Sequence, residues 1–303
     1  MSHLIVIGGA TATGKSDLAV AVAERLGGQI INADSMQLYK GMDIGTAKLS
    51  VEERRGVAHH MLDLVNVKTD VTVAWYQEHA RNLVDQLLEL EVPVIVVGGT
   101  GLYIKAILDD LNFPDTDPEI RAQLAAEAEE LGGAVMHRRL ADLDPAAALA
   151  IPKENVRRVV RALEVIEITG KPFTANLPRQ DSTRYPQALQ FGLATDRARL
   201  DERIDARVER MWAQGIVAET EALIQAGLLE GKTAQAALGY AQIIKMKQGL
   251  LSEPDAKAET KVTTRQYARR QETWFNRDQR IDWLAPAPTS AHLEQVLASI
   301  IKA

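Results

Sequence analysis

Eight residues near the start of the chain, Gly9-Ala10-Thr11-Ala12-Thr13-Gly14-Lys15-Ser16, constrain its folding more than any other stretch. They fit the pattern G-x-x-x-x-G-K-[ST], follow the apolar run Leu4-Ile5-Val6-Ile7 and precede an amphipathic stretch from Asp17 to Leu26. Strand, glycine-rich loop and helix in that order form a cradle for a diphosphate or triphosphate. The glycines let the backbone wrap the anion with its N–H groups, Lys15 adds a point charge, and the Ser16 hydroxyl is placed to hold Mg²⁺. A glycine-rich turn without a ligand is the competing reading, and the flanking strand and helix weigh against it.

The rest of the chain extends this beginning into an α/β fold, a P-loop NTPase-like parallel sheet flanked by helices. Further strands are expected at Gln29 to Ala33, Pro93 to Gly98 and Leu189 to Ala194, with an amphipathic helix over Val73 to Leu90. In open sheets of this kind ligands collect at the carboxyl ends of the strands. The active face should therefore gather Gly9 to Ser16, Asp34 to Lys48 and Gly98 to Tyr103. After Asn112-Phe113-Pro114 the strand signal stops, and helix is expected from Pro118 to about Leu143 and from Asn155 to Thr169, the latter closed by Gly170-Lys171-Pro172. A polar, proline-punctuated segment runs from Asn176 to Pro186. Residues 1–114 thus read as the first part of the core, 115–187 as a helical insertion domain, and 188–303 as core completion with a helical C-terminal region. Helices are expected there at Arg199 to Gln214, Ile216 to Ala226, Ala256 to Asn276 and Ala291 to Ile301.

The chain has 303 residues, a net charge of −6 and no cysteine. The missing cysteines exclude disulfides, zinc fingers and thiol catalysis, and they fit a reducing cytoplasm. The acidic balance means that any nucleic-acid surface must be a local basic patch. No apolar run approaches about 18 residues, and the N-terminus enters a strand directly, so the chain is expected to be soluble with no membrane partner; a cytoplasmic location and a monomer are the accompanying expectations.

Asp34 ends a strand opposite the phosphate loop. It could cap the next turn, but a carboxylate there could also act as a general base or hold a metal. Asp43 is a second acid available for either task. In Gly98-Gly99-Thr100-Gly101-Leu102-Tyr103 the glycines permit close substrate approach, and Thr100 offers either a helix cap or a hydroxyl that orients a substrate.

These loops resemble the signature loops of the bacterial tRNA dimethylallyltransferases, the IPP transferase family. The likeness is carried by Gly9 to Ser16, by Asp34-Ser35-Met36-Gln37 with Tyr39 to Lys48, and by Gly98 to Tyr103. It continues through His59-His60 with Asp63, Arg157-Arg158-Val159-Val160-Arg161-Ala162-Leu163-Glu164, Leu200 to Met211, Gly239-Tyr240, and Arg265 to Gln271 with Thr273-Trp274, so it spans nearly the whole chain. The glycine-lysine loop is generic, whereas the Asp34 to Lys48 string is highly specific.

The resemblance implies transfer of a dimethylallyl group from dimethylallyl diphosphate to the exocyclic amine of the adenosine just 3′ of the anticodon, with Mg²⁺. Gly9, Ala10, Thr11, Ala12, Thr13, Gly14, Lys15 and Ser16 would then hold an isoprenoid diphosphate, joined by Arg197 and Arg203. Asp34 would be the base and Thr100 would orient the amine, while Lys15 stabilises the leaving group. The tRNA anticodon stem-loop would be gripped by Asp34, Ser35, Met36, Gln37 and Thr100, together with Arg121, Arg157, Arg158, Arg161, Arg265, Arg269 and Arg270. Gln37, both donor and acceptor, suits the reading of a flipped base. Basic helix faces are often merely solvated, but two such patches with aromatic neighbours in an acidic chain suggest a nucleic-acid footprint. His59 and His60 lack the acids of a metal site and receive no catalytic role. Two departures from the family pattern are Ala10, usually proline, and Arg157, often glutamine. A small-molecule or nucleotide kinase is the alternative for the phosphate loop alone, since that class uses the same cradle and a nearby acid.

Overall fold

The computed structural model describes residues 3–176 and 183–302. Part of the segment from Asn176 to Pro186 lies outside the described residues. The chain forms two compact units, Met1–Leu108 with Tyr185–Ala303, and Asp109–Arg184.

The larger unit begins with β1 (Leu4–Gly8), α1 (Lys15–Leu26), β2 (Gln29–Asn32), β3 (His59–His60), α2 (Val73–Glu89), β4 (Val94–Gly98) and α3 (Gly101–Leu108). The smaller unit comprises α4 (Pro118–Leu131), α5 (Gly133–Leu143), α6 (Pro145–Ala150) and α7 (Val156–Thr169). The larger unit then resumes with β5 (Leu189–Leu193), α8 (Arg197–Gln214), α9 (Ile216–Gln225), α10 (Tyr240–Lys247), α11 (Glu253–Phe275), β6 (Ile281–Leu284) and α12 (Thr289–Lys302). The six strands pair in parallel in the order β3-β2-β4-β1-β5-β6.

A central strand of a sheet covered on both faces buries its side chains on either side, and β1 does so along its whole length. Its alternating residues divide between two cores. Leu4 and Val6 join Tyr76, Ala80 and Val84 of α2, while Ile5 and Ile7 join Leu18 and Val22 of α1 and Val296 and Ile300 of α12. With β4 between β1 and β2, and Gly8 in register with Gly98, the loops after these three strands leave the sheet side by side. This places the phosphate loop, the Asp34 loop and the Thr100 loop at one edge. Close strand packing explains Gly98, where a Cβ would lie 2.2 Å from the Ala33 carbonyl oxygen.

Several features depart from the sequence expectations, the short helices α6 and α10 among them. The helix expected over 118–143 is broken at Gly132, whose φ of 84° and ψ of 152° end α4 and start α5. The two-residue β3 and the four-residue β6 were not expected, because neither carries a long enough β-branched run to be distinguished from loop. The helix expected from Ala256 begins at Glu253, where Ser252 accepts a hydrogen bond from the Asp255 N–H and Pro254 occupies the first turn.

In the smaller unit, Leu124, Met136, Leu140, Val159 and Leu163 form one apolar core. Fully buried Glu164 accepts from Arg121 Nε at 2.9 Å and from the Asp117 N–H at 3.1 Å, and pairs with Arg161 at 3.0 Å. Arg161 also donates to the Pro114 carbonyl at 2.7 Å. A buried carboxylate needs such partners. Both arginines therefore have a structural task beside the surface one that the sequence suggested.

Candidate active site

Thr11–Ser16, Asp34, Gln37, the stretch from Thr46 to Val51, Gly98–Gly99 and one face of α8 border a cavity of about 1370 Å³ in the larger unit, whereas Gly9, Ala10, Ser35, Met36 and Thr100 lie behind its lining. Lys15 and Ser16 open α1, so the free N–H groups of the helix start face the cavity. Gly9 and Gly14 take φ values of 136° and 97°, which a side chain would oppose. Ala10 points its carbonyl inward, where it accepts from Lys15 Nζ and, at 3.0 Å, from the Thr13 hydroxyl. Burial pulls the Lys15 ammonium down to about 8. Asp34 opposes that effect and Arg207 adds to it.

Asp34 is half-buried and lines the cavity. One carboxylate oxygen accepts from the Met36 N–H at 3.0 Å, and the Asp34 N–H is held at 3.1 Å by Asn32 Oδ1. Asn32 itself is anchored to the Met61 carbonyl, and its own carbonyl accepts from Tyr76. The Thr100 hydroxyl accepts from the Ser35 N–H at 3.2 Å, and the Thr100 N–H donates to the Ala33 carbonyl at 3.1 Å. Asp34 and Thr100 are thus joined through consecutive backbone groups.

Asp43, the second acid of this loop, is committed elsewhere. Lys48 Nζ reaches both Asp43 and Asp63 at 2.6 Å and the Tyr39 carbonyl at 3.0 Å. Glu219 of α9 accepts from the N–H groups of Asp43, Ile44 and Gly45 and from the Tyr240 hydroxyl. Gly45 is required here, since a Cβ would lie 2.3 Å from the Tyr240 ring. The second half of the loop is therefore a braced scaffold for its first half. Gln37 lines the cavity and donates to the Thr46 carbonyl at 3.1 Å. Ser35 and Met36 continue the loop beside Asp34.

Of the arginines predicted for the diphosphate, Arg203 lines the cavity and Arg197 does not. Arg197 pairs with Glu272 at 2.7 Å and Asp201 at 3.2 Å, and donates to the Arg265 carbonyl. Arg207 was missed. It lines the cavity and donates to the Thr11 hydroxyl at 2.7 Å, and its Nε has no partner. The signal for it was its place one turn beyond Arg203, beside the buried stripe Leu200, Ile204, Val208 and Met211.

Gln271 was missed as well, although it belongs to a quoted string. It is 5% exposed and falls in the buried stripe Ala268, Gln271, Phe275 of α11. A glutamine at a core position of a helix was the signal. On the same helix Arg269 and Arg270 are exposed, Arg270 lying 5.8 Å over the Tyr267 ring. One terminal nitrogen of Arg265 donates to both carboxylate oxygens of Asp205, at 2.7 and 2.8 Å. In the smaller unit Arg157 and Arg158 are exposed and carry no ion pair among the described residues. His59 and His60 form the edge strand, bonded to the Val57 carbonyl and to Gln29.

The IPP transferase model matches residues 37–278. A tRNA dimethylallyltransferase of Streptomyces griseus is 56% identical over 282 residues, which covers 93% of this chain and 90% of that one. The chain belongs to the IPP transferase family. The structure of a tRNA delta(2)-isopentenylpyrophosphate transferase from Staphylococcus epidermidis superposes with a TM-score of 0.74 at 32% identity, covering all of this chain and 99% of that one. A eukaryotic dimethylallyltransferase acting on tRNA superposes with a TM-score of 0.79 at 26% identity, over 94% of this chain and 74% of that one. The IPP transferase match begins inside the Asp34 loop and ends just past α11, so it takes in the braced scaffold, α8 and Gln271. Among the described residues, no helix is long and apolar enough to cross a membrane.

Proposed function

We propose that this member of the IPP transferase family transfers a dimethylallyl group from dimethylallyl diphosphate to N6 of the adenosine just 3′ of the anticodon in tRNA. The observation that carries the reading is the pairing, in one cavity, of a phosphate cradle with a carboxylate that has no cationic partner within ion-pair distance. Asp34 is that carboxylate at the end of β2: it forms no ion pair among the described residues, whereas Lys48 occupies Asp43 and Asp63. The new N6–C1 bond forms as the C1–O bond to the diphosphate breaks, and the N6 proton passes to Asp34. Lys15, Arg203, Arg207 and the N–H groups at the start of α1 stabilise the charge that grows on the departing oxygens. Thr100, held through the Ser35 N–H, orients the amine.

The described residues include no cluster of three or more His, Asp or Glu side chains able to hold a metal. The Ser16 hydroxyl lines the cavity at the start of α1 and would hold Mg²⁺, an ion that keeps most of its water and needs few protein ligands. When bound, the ion supplies further neutralisation of the leaving group. Exposed Arg157, Arg158, Arg269 and Arg270 suit contacts to tRNA phosphates.

The test is mass spectrometry of nucleosides from unmodified tRNA with an adenosine-rich anticodon loop, incubated with protein, Mg²⁺ and donor. Gain of one C5 unit on adenosine is expected. Unmodified adenosine, together with ATP consumption in a parallel reaction without donor, would favour a kinase instead.

A further inference from the structure

Gln271 touches both loops that the proposed reaction must hold in register, and it touches them only through backbone groups. Its Oε1 accepts from the Thr11 N–H of the phosphate loop at 2.9 Å. Its Nε2 donates to the Gly99 carbonyl, one residue before Thr100, at 2.8 Å. The amide is thus used at both ends, one on the leaving-group side and one on the acceptor side. The approach is close enough that a Cβ on Gly99 would lie 2.2 Å from Nε2, which explains the glycine. Tyr267, one turn earlier on α11, lies beside Thr100 and Gln271, and burial pushes its phenol up to about 12.

The helix that carries Gln271 is itself fixed. Arg265 binds Asp205, Glu272 binds Arg197, and Phe275 and Trp274 seal the spaces left by Gly8 and Gly101, where a Cβ would lie 2.7 Å and 2.1 Å from their rings. The separation of the two loops is therefore set by a side chain on a third, rigid element.

Resting on the proposed transfer reaction, we infer that Gln271 is a positioning residue whose amide holds the phosphate loop and the Thr100 loop at the spacing that N6 attack requires. It contacts neither reacting atom. Its loss leaves each loop able to bind its own ligand, but no longer at a fixed distance from the other. Misplacement of about 1 Å between reacting groups costs on the order of 100-fold in rate.

The isosteric variant Gln271→Glu separates this role from a merely structural one. An ionised carboxylate keeps the acceptor for Thr11 but turns an oxygen toward the Gly99 carbonyl, whereas a protonated carboxyl restores the donor and copies glutamine. Lys15, Asp34 and Arg207 share the cavity with this position, and Tyr267 lies beside it, so the variant is compared with wild type at each pH to cancel their titration. At pH 8 the full-length variant is expected to lose about 100-fold in single-turnover rate, while the donor KM and tRNA Kd stay within about threefold. Its rate relative to wild type should rise as the pH falls. Gln271→Met, which cannot donate at any pH, should lose the same activity without that recovery. It also keeps the inference testable if the charged variant folds poorly. Wild-type rate in either variant, or a loss matched by weakened donor or tRNA binding, overturns the inference. Inactive wild type would instead overturn the proposed reaction.

Discussion

Replacing Lys15 by methionine should make the ligand-free protein more stable while abolishing its hold on diphosphate. Lys15 is 8% exposed, and its pKa falls from 10.5 to about 8 chiefly because burial removes water from the ammonium. That difference corresponds to a cost of about 3 kcal/mol for keeping the side chain charged in the folded state. Methionine removes the cost but also the bond to the Ala10 carbonyl, worth about 1 kcal/mol, so a net gain of about 2 kcal/mol is expected.

The pH dependence has a definite sign. Below pH 8 the lysine is charged in both states and the cost is fully present. Between pH 8 and 10.5 the folded state gives up its proton first, so wild-type stability rises with pH and the advantage of the variant shrinks. Urea denaturation of both proteins at pH 7 and pH 9.5, with and without inorganic diphosphate, measures all of this. At an m-value of about 2 kcal/mol/M the variant's midpoint should lie about 1 M higher at pH 7. Diphosphate should stabilise only the wild type. A variant no more stable than wild type at pH 7 would refute the claim that this lysine is held in the fold at a cost which its ligand recovers.

Asp34→Asn should cut single-turnover transfer at least about 100-fold, the usual scale for a general base, with tRNA Kd within about threefold in a filter-binding assay. Arg121→Ala leaves buried Glu164 with Arg161 and one backbone N–H. It should therefore destabilise the smaller unit by about 1–2 kcal/mol, read as faster amide exchange in α4 and α7. The double variant Arg269→Ala/Arg270→Ala should weaken tRNA binding and lower the slope of log K against log salt by about 2, while melting at the wild-type temperature.

The extent to which the fold was legible in the chain varies with how local the cause is. β1 and β4 were readable because each is a continuous apolar run ending in glycine, as a strand buried on both faces must, and β2 and β5 because short apolar stretches there are bounded by polar or turn residues. The start of α1 was readable because Gly14 and Lys15 do their work within one turn. The break at Gly132 was not, since Gly132-Gly133 could sit within a helix at modest cost and it is the packing of α4, α5 and α7 that sets the bend. β3 and β6 exist only because β2 and β5 offer them an edge.

The same division runs through the site. By itself the sequence determined that a glycine-rich loop of the phosphate-cradle pattern follows the first strand, that acids and a hydroxyl lie on the next two loops, and that basic residues punctuate otherwise ordinary helices. These follow from residue type and short spacing, which fix backbone freedom, donors and charge within a few residues. Only the tertiary structure decided what each charge faces. It paired Asp43 with Lys48 and left Asp34 near Lys15 and Arg207 but without an ion pair among the described residues. It turned Arg121 and Arg161 onto Glu164, Arg197 onto Glu272, and Arg207 toward Thr11. It also brought Gln271 to loops more than 170 residues away in sequence. Long side chains take their partners from whatever the packed core places within reach, and that distance is written in no local pattern.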